Sequence, residues 1–184
     1  MSHSPTLQLS NLALTDLEIQ SRLLPSLVWA DLQNCPKIGD KTLETLATKT
    51  ALRTLRWINN PAATPSGYLA LANSTSLKAL NVSGSLHFND QACQLHLQSP
   101  TLQALDVSFC SGLTDQAFAQ IKSPLTLLNI QGCTELTDQI LESILQLKTL
   151  KHLFLAFNQN FTEIALSALE KLPLETLKIY ALDL

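Results

Sequence analysis

The chain has 184 residues, of which 46% are hydrophobic and 15% charged, and its formal net charge at pH 7 is −3. This apolar content is enough for a continuous core and argues against a disordered chain. The acidic balance argues against nucleic acid as a partner, because nucleic-acid-binding proteins usually carry a basic excess or a basic stripe.

Neither a membrane span nor a secretion signal is predicted. No stretch approaches the roughly 18 consecutive apolar residues that a membrane-spanning helix needs. The N-terminal residues MSHSPTLQLS lack the basic region followed by an apolar one that marks a secretion signal. We therefore expect a cytoplasmic protein without a membrane partner.

A short unit repeats along nearly the whole chain, and each copy begins at a leucine. The starts are Leu27, Leu52, Leu77, Leu102, Leu125, Leu150 and Leu174, with steps of 25, 25, 25, 23, 25 and 24 residues. In the copy from Leu102, Leu105 and Val107 alternate with polar residues, which predicts a short strand, whereas Phe118 and Ile121 have helical spacing. Such a unit cannot enclose a core alone, so the copies must stack.

Counted from each start, positions 4 and 6 are apolar in every copy, and position 9 is mostly Cys or Asn. This pattern, L-x-x-L-x-L-x-x-N/C, resembles the leucine-rich repeat. Cys110 with Leu113-Thr114-Asp115 resembles more narrowly the cysteine-containing subclass, which occurs in F-box substrate receptors and is similar to some bacterial effectors. The resemblance implies an α/β solenoid: a right-handed horseshoe with a parallel sheet on the concave face and helices on the convex face.

We expect one domain over 1–184, with a degenerate first repeat over 1–26, six repeats over 27–173 and a terminal strand over 174–184 that lacks an evident cap. In the first repeat, Asn11, Leu14, Thr15 and Asp16 align with positions 9, 12, 13 and 14. The last strand is predicted at 175–181. Its open end would need to be covered by 182–184, by a partner or by further sequence.

The helix starts are predicted from a column of threonines. Thr64 is placed to cap a helix whose first residue is Pro65, and Thr114, Thr137 and Thr162 occupy the same column. An acidic residue follows each of the last three and suits the positive end of a helix dipole, so these acids are interpreted as structural.

Two groups of residues could suggest chemistry. Cys93 and His96 lie three apart on a predicted helix near His87, but both face the core and no second pair completes a metal site. Cys110 and Cys133 occupy the inward position-9 column, where burial suppresses thiol reactivity and no disulfide is needed, as in a reducing compartment. We expect no metal ion, no cofactor and no catalytic residue; an enzyme that uses a buried Cys and His is the alternative.

The scaffold leaves positions 3, 5 and 7 facing outward on the concave side, flanked by positions 2 and 8. The candidate partner-binding residues are Trp29, Arg56, Ile58, Phe109, Leu127, Phe154, Phe157, Lys178 and Tyr180. Four aromatic residues of this set gather towards one end, although Phe109 and Phe157 could instead tuck under neighbouring loops. Basic residues outnumber acidic ones on this face, which favours an acidic protein surface as partner.

These observations predict a non-catalytic module that binds another protein, such as an enzyme that it regulates, through the concave face. It could serve as an adaptor, an inhibitor or an effector, the last in a host cytosol if a bacterium delivers it. The subclass resemblance instead favours the substrate-recognition part of a ubiquitin-ligase-like complex, although the first 26 residues are too short to contain an F-box.

Overall fold

The structure, a computed structural model, describes residues 5–179. Over this range eight parallel strands form one open sheet, in which each strand pairs with the strands before and after it in sequence. The strands are β1 (Thr6–Ser10), β2 (Trp29–Gln33), β3 (Thr54–Ile58), β4 (Ala79–Asn81), β5 (Ala104–Asp106), β6 (Leu127–Asn129), β7 (His152–Phe154) and β8 (Thr176–Lys178). This arrangement confirms the predicted α/β solenoid.

A helical segment connects each strand to the next. The helices are α1 (Asp16–Ile19), α2 (Asp40–Ala47), α3 (Pro65–Leu71), α4 (Asp90–His96), α5 (Gln139–Ile144) and α6 (Glu163–Ser167), with 3₁₀ helices at Gln20–Arg22, Asp115–Phe118 and Ala168–Lys171. None of these helices is long and apolar enough to cross a membrane, as far as residues 5–179 are concerned.

The helix predicted around Phe118 and Ile121 is shorter than expected. Only the 3₁₀ helix Asp115–Phe118 forms there. This copy has 23 residues, two fewer than most others, so its convex segment has less chain available. Side chains of the preceding repeat bond carbonyls of this segment: Gln94 Nε2 on α4 donates to Gln116 O at 2.7 Å, and Gln98 Nε2 just after α4 donates to Gln120 O at 2.9 Å.

The core follows the repeat register. Position-4 side chains align across the sheet, as Leu80, Leu105 and Leu128 do on β4, β5 and β6. All three are at most 2% exposed, and the position-6 residues Trp57 and Val107 are fully buried. Stacked copies therefore bury one continuous core, as the apolar columns predict.

Position 9 joins neighbouring repeats through a second set of contacts. Cys110 Sγ donates to Val82 O at 3.4 Å and Cys133 Sγ donates to Val107 O at 3.2 Å. Asn60 Nδ2 makes the equivalent bond to Leu32 O at 2.8 Å. A short polar donor at this position therefore satisfies a carbonyl of the preceding repeat.

The acids of the threonine column also connect repeats, in what we call the aspartate–threonine ladder. Each aspartate accepts the N–H of the next repeat's threonine at 2.7–2.8 Å and its hydroxyl at 2.6–2.7 Å. The pairs are Asp40 with Thr64, Asp90 with Thr114, Asp115 with Thr137 and Asp138 with Thr162. The predicted caps are also present, for Thr64 accepts from Ser66 N and Thr162 from Ala165 N.

The first repeat differs from the prediction by one residue. Ser10 pairs with Gln33, so Asn11 is equivalent to Asn34 at position 8 rather than to Cys35 at position 9. The loop after β1 is therefore one residue shorter than expected. Asp16 nevertheless reaches the ladder position, where it accepts a hydrogen bond from Gly39 N at 2.8 Å.

Candidate functional site

Three strands of the concave face carry a polar residue at position 5. Asn81, Asp106 and Asn129 accept hydrogen bonds from the N–H two residues later at 2.9, 3.0 and 3.2 Å. These bonds form a local turn at the ends of β4, β5 and β6, while backbone bonds to the next repeat continue beyond it, as from Gly84 N to Ser108 O at 2.8 Å.

Position 7 falls outside strands β4 to β7, and its side chains are not all outward-facing. Ser108 is 5% exposed and Ala156 is 2% exposed. The prediction that position 7 points outward is therefore wrong for these two repeats. It assumed that the strand continues to position 7, which among strands β1 to β7 holds for the five-residue β1, β2 and β3.

At the N-terminal end of the face, Arg56 forms an ion pair with a buried acid. Its Nη1 lies 2.8 Å from Oδ2 of Asp31, which is only 1% exposed. Gln33 Nε2 also donates to Asp31, at 2.7 Å. A buried carboxylate needs such partners, so Arg56 has a structural role that its column did not reveal. Trp29 and Ile58, on β2 and β3, are half-buried.

At the C-terminal end of the face, Leu127, Phe154 and Lys178 come from successive strands. Phe154 pairs in register with Asn129 on one side and Lys178 on the other, while Leu127 pairs with His152. Leu127 and Phe154 are half-buried and Lys178 is exposed. The structure therefore brings these three candidates together on strands β6 to β8.

The charges at this end differ in how far they are neutralised. Lys151 Nζ lies 2.6 Å from Glu175 Oε1, so this pair is self-contained. Asp106 is satisfied by Asn81 Nδ2 at 3.1 Å and by Ser108, whose hydroxyl donates at 2.6 Å. Within residues 5–179, Lys178 makes neither an ion pair nor a side-chain hydrogen bond.

Phe109 and Phe157 lie on the rim of the sheet just beyond β5 and β7, and we call them the aromatic rim pair. Their ring centroids are 6.0 Å apart with the planes inclined by 45°. Each side chain is 53% exposed, so neither tucks beneath a neighbouring loop. Tyr180, the remaining candidate, lies outside the described residues.

Gly132 separates the two phenylalanines and was not recognised from the sequence. A Cβ built on Gly132 would overlap the Phe109 ring and come within 2.7 Å of its Cε1. The ring therefore occupies space that only glycine leaves open. The signal was present in column 8, where Asn34, Asn59 and Gly84 are residues typical of positive φ.

The cysteines and His96 are core residues, as predicted. All four thiols are free and buried, and burial raises the pKa of Cys110 and Cys133 to about 12. Burial lowers the pKa of His96 to about 4, although its Nε2 donates to Tyr68 O at 3.3 Å. Among residues 5–179 no group of three or more His, Cys, Asp or Glu could hold a metal ion.

Comparison with known proteins gives the class. A family model described as "Leucine Rich repeat" matches residues 98–117. The chain resembles a chain from the crystal structure of the yeast Rad7 and Elc1 complex, with 17% identity and a TM-score of 0.56, covering 94% of this chain and 56% of that one. An internalin, InlF, from Listeria monocytogenes str. 4b F2365 matches with 14% identity and a TM-score of 0.31, covering 95% of this chain and 66% of that one.

No curated protein sequence matches the chain. The repeat register, the parallel solenoid, the family-model match and the likeness to the yeast chain show a leucine-rich-repeat fold. The chain spans little more than half the length of the yeast chain.

Proposed function

We propose that this chain is a non-catalytic module that binds a protein partner through the C-terminal half of its concave face. The observation that carries the proposal is the group formed by Phe154, Lys178 and the aromatic rim pair. Lys178 has no charged partner among the described residues, and both rim phenylalanines are half exposed. Exposed aromatic residues on a rigid sheet are typical of interface hot spots.

The N-terminal half of the face is the weaker candidate. Arg56 is committed to the buried Asp31 and would lose that ion pair if it reached towards a partner. Trp29 lies on β2, five strands from Phe154, at a distance of roughly 24 Å for strands about 4.8 Å apart. It would form a separate contact with a large partner.

Catalysis is not supported by any site that the described residues form. The thiols that could act as nucleophiles are buried and strongly desolvated, and the buried His96 has a lowered pKa. An exposed, low-pKa thiol next to a base would be required. The alternative role in substrate recognition draws on the Cys-Leu-Thr-Asp subclass pattern, as at Cys110, and on a structural neighbour solved as a two-protein complex.

Affinity capture from the source organism, followed by mass spectrometry, tests the proposal with matched variants. The wild-type chain and Glu142→Ala, a change on the convex α5, should retain one stoichiometric partner that Phe154→Ala loses. With the purified partner, Phe154→Ala should weaken binding by more than about 1 kcal/mol in titration calorimetry, because a central aromatic contact is removed.

Two outcomes would contradict the proposal. One is binding that Glu142→Ala abolishes and Phe154→Ala leaves intact, which would place the interface on the convex side. The other is a chain that captures no partner but has a hydrolytic or transfer activity that Cys110→Ser removes.

A further inference from the structure

The turn after each of strands β1 to β7 places position 8 in the left-handed region of the backbone. The φ values are 57° at Asn11, 51° at Asn34, 52° at Asn59, 69° at Gly84, 59° at Phe109, 65° at Gly132 and 63° at Phe157. Glycine adopts this conformation freely and asparagine tolerates it, whereas a bulky side chain is strained there. Phenylalanine, present here as Phe109 and Phe157, is therefore not a residue type that this turn favours.

The fold gains little in return for this strain. Both residues are 53% exposed; their rings lie 6.0 Å apart, and that of Phe109 lies over Gly132. Core packing thus does not explain two phenylalanines in a column of asparagine and glycine. A strained backbone that keeps an exposed side chain in one orientation is typical of a functional contact.

Gly132 makes the arrangement possible. It lies between the two phenylalanines, and its missing Cβ leaves the space that the Phe109 ring occupies on the way to Phe157. The rings are thereby held 6.0 Å apart at 45°, with part of each ring open to solvent. A preformed apolar surface of this kind costs little conformational entropy when a partner docks.

The charge beside this surface indicates the chemistry of the partner. Phe157 follows Phe154 by three residues, and Phe154 pairs in register with Lys178, so Lys178 and the rim pair lie within roughly 15 Å. Lys151 and Glu175, next to these strands, pair with each other, and Asp106 on β5 accepts hydrogen bonds from Asn81 and Ser108. Lys178 is therefore the charge that a partner has to match, and an acidic group matches it.

We propose that Phe109 and Phe157, held apart by Gly132, bind an aliphatic or aromatic side chain of an acidic protein segment whose carboxylate pairs with Lys178. This deepens the proposed function and rests on it. It adds what the rim pair and Lys178 each bind: an apolar side chain and a carboxylate of one segment.

The key variant is the double substitution Phe109→Asn with Phe157→Asn. It installs the residue that Asn34 and Asn59 provide at the same position and the same sign of φ. Because the strain is relieved, the melting temperature should stay the same or rise. A fall of more than about 5 °C would mean that the rim pair serves the fold, and it would overturn the inference.

The probe is a phage-displayed library of random 12-residue peptides, selected on the immobilised wild-type chain. We expect enriched peptides that combine Leu, Ile, Phe or Trp with Asp or Glu and that bind the double variant at least tenfold more weakly. Replacing their Asp and Glu by Asn and Gln should cause a similar loss. On Lys178→Glu, the selection should favour Lys and Arg instead.

The inference fails if the selection enriches no acidic apolar peptide, or if the enriched peptides bind the double variant as tightly as the wild-type chain. Its failure can be told apart from failure of the proposed function. If the natural partner is lost by Phe154→Ala but retained by the double variant, the concave face binds and the rim does not. If both variants retain it, both proposals fail.

Discussion

His96 is a titratable residue enclosed by the core. It is 3% exposed, and its ring lies 5.8 Å from that of Phe88. Desolvation disfavours the imidazolium form and lowers the pKa to about 4, against an ordinary value of 6.5. The unfolded chain therefore takes up a proton at a pH at which the folded chain does not, so acid favours unfolding.

We expect the free energy of unfolding to contain a contribution from His96 that is complete above about pH 6.5. It should be lost progressively down to about pH 4, by up to about 3 kcal/mol. Urea unfolding of the wild-type chain and His96→Gln across this range measures it, since carboxylates titrate equally in both proteins. Parallel pH profiles for the two proteins would contradict the assignment.

The four cysteines should be reduced and slow to react in the folded chain. Burial raises the pKa of Cys110 and Cys133 to about 12 and that of Cys93 well above its ordinary value, so very little thiolate forms at neutral pH. Labelling with a thiol reagent should give almost no product before denaturation and four equivalents after it. Rapid labelling of the native chain would show that the position-9 column is accessible.

Residue-level prediction from the sequence succeeded where one column repeats one environment. Cys110 and Cys133 recur at the position of Asn60, which identified them as inward-facing; the structure adds that all three donate to a carbonyl of the preceding repeat. It failed where a contact is specific to one repeat. Position 5 does not mark Arg56 as the partner of a buried Asp31. No other pair of neighbouring repeats has Asp followed by Arg at this position.

At the scale of elements, the aspartate–threonine ladder links the start of one helix to the start of the helix in the next repeat. It is interrupted where Pro65 occupies the acid's position, and there Asn89 caps α4 through Ala92 N at 3.0 Å. The ladder thus adds a contact between repeats to the local caps. These hydrogen bonds give a structural role to the acids, which the sequence analysis assigned to the fold from the helix dipole alone.

We predict that Asp90→Ala lowers the free energy of unfolding by about 1–2 kcal/mol, because Thr114 loses two hydrogen bonds to a charged acceptor. A double-mutant cycle with Thr114→Ala should give a coupling energy of about 1 kcal/mol in denaturant melts. The neighbouring exposed change Gln91→Ala should cost less than about 0.5 kcal/mol. A coupling energy near zero would show that the ladder does not stabilise the fold.

Element boundaries were harder to predict than element types. The strand–helix alternation followed from the apolar columns, but the columns do not give the strand ends, since β2 and β3 have five residues each and β4 to β8 have three. Similarly, a copy with 23 residues forms a 3₁₀ helix at Asp115–Phe118 where periodicity predicts an α-helix. The number of residues between the two strands decides which type of helix forms, and the spacing of apolar residues does not reveal this.

At the scale of the whole molecule, each repeat contacts its neighbours, and stability should therefore vary along the array. The position-4 residues are buried from β2 to β7, with Leu105 fully covered, whereas Leu177 on β8 is 37% exposed. Helix α6 has no buried residue, and Ile164 on it is 86% exposed. The C-terminal repeat among the described residues is therefore the least firmly packed.

Amide hydrogen exchange followed by mass spectrometry should reveal this gradient. Peptides covering β7 to β8 should exchange faster than those covering β4 to β6, because local opening needs less buried surface to be exposed. Leu105→Ala, a core truncation costing about 2–5 kcal/mol, should accelerate exchange in repeats on both sides of β5. Leu177→Ala should affect only the C-terminal repeat, since no later described strand depends on it. Uniform exchange along the chain, or an equal response to both variants, would mean that the array unfolds as a single cooperative unit.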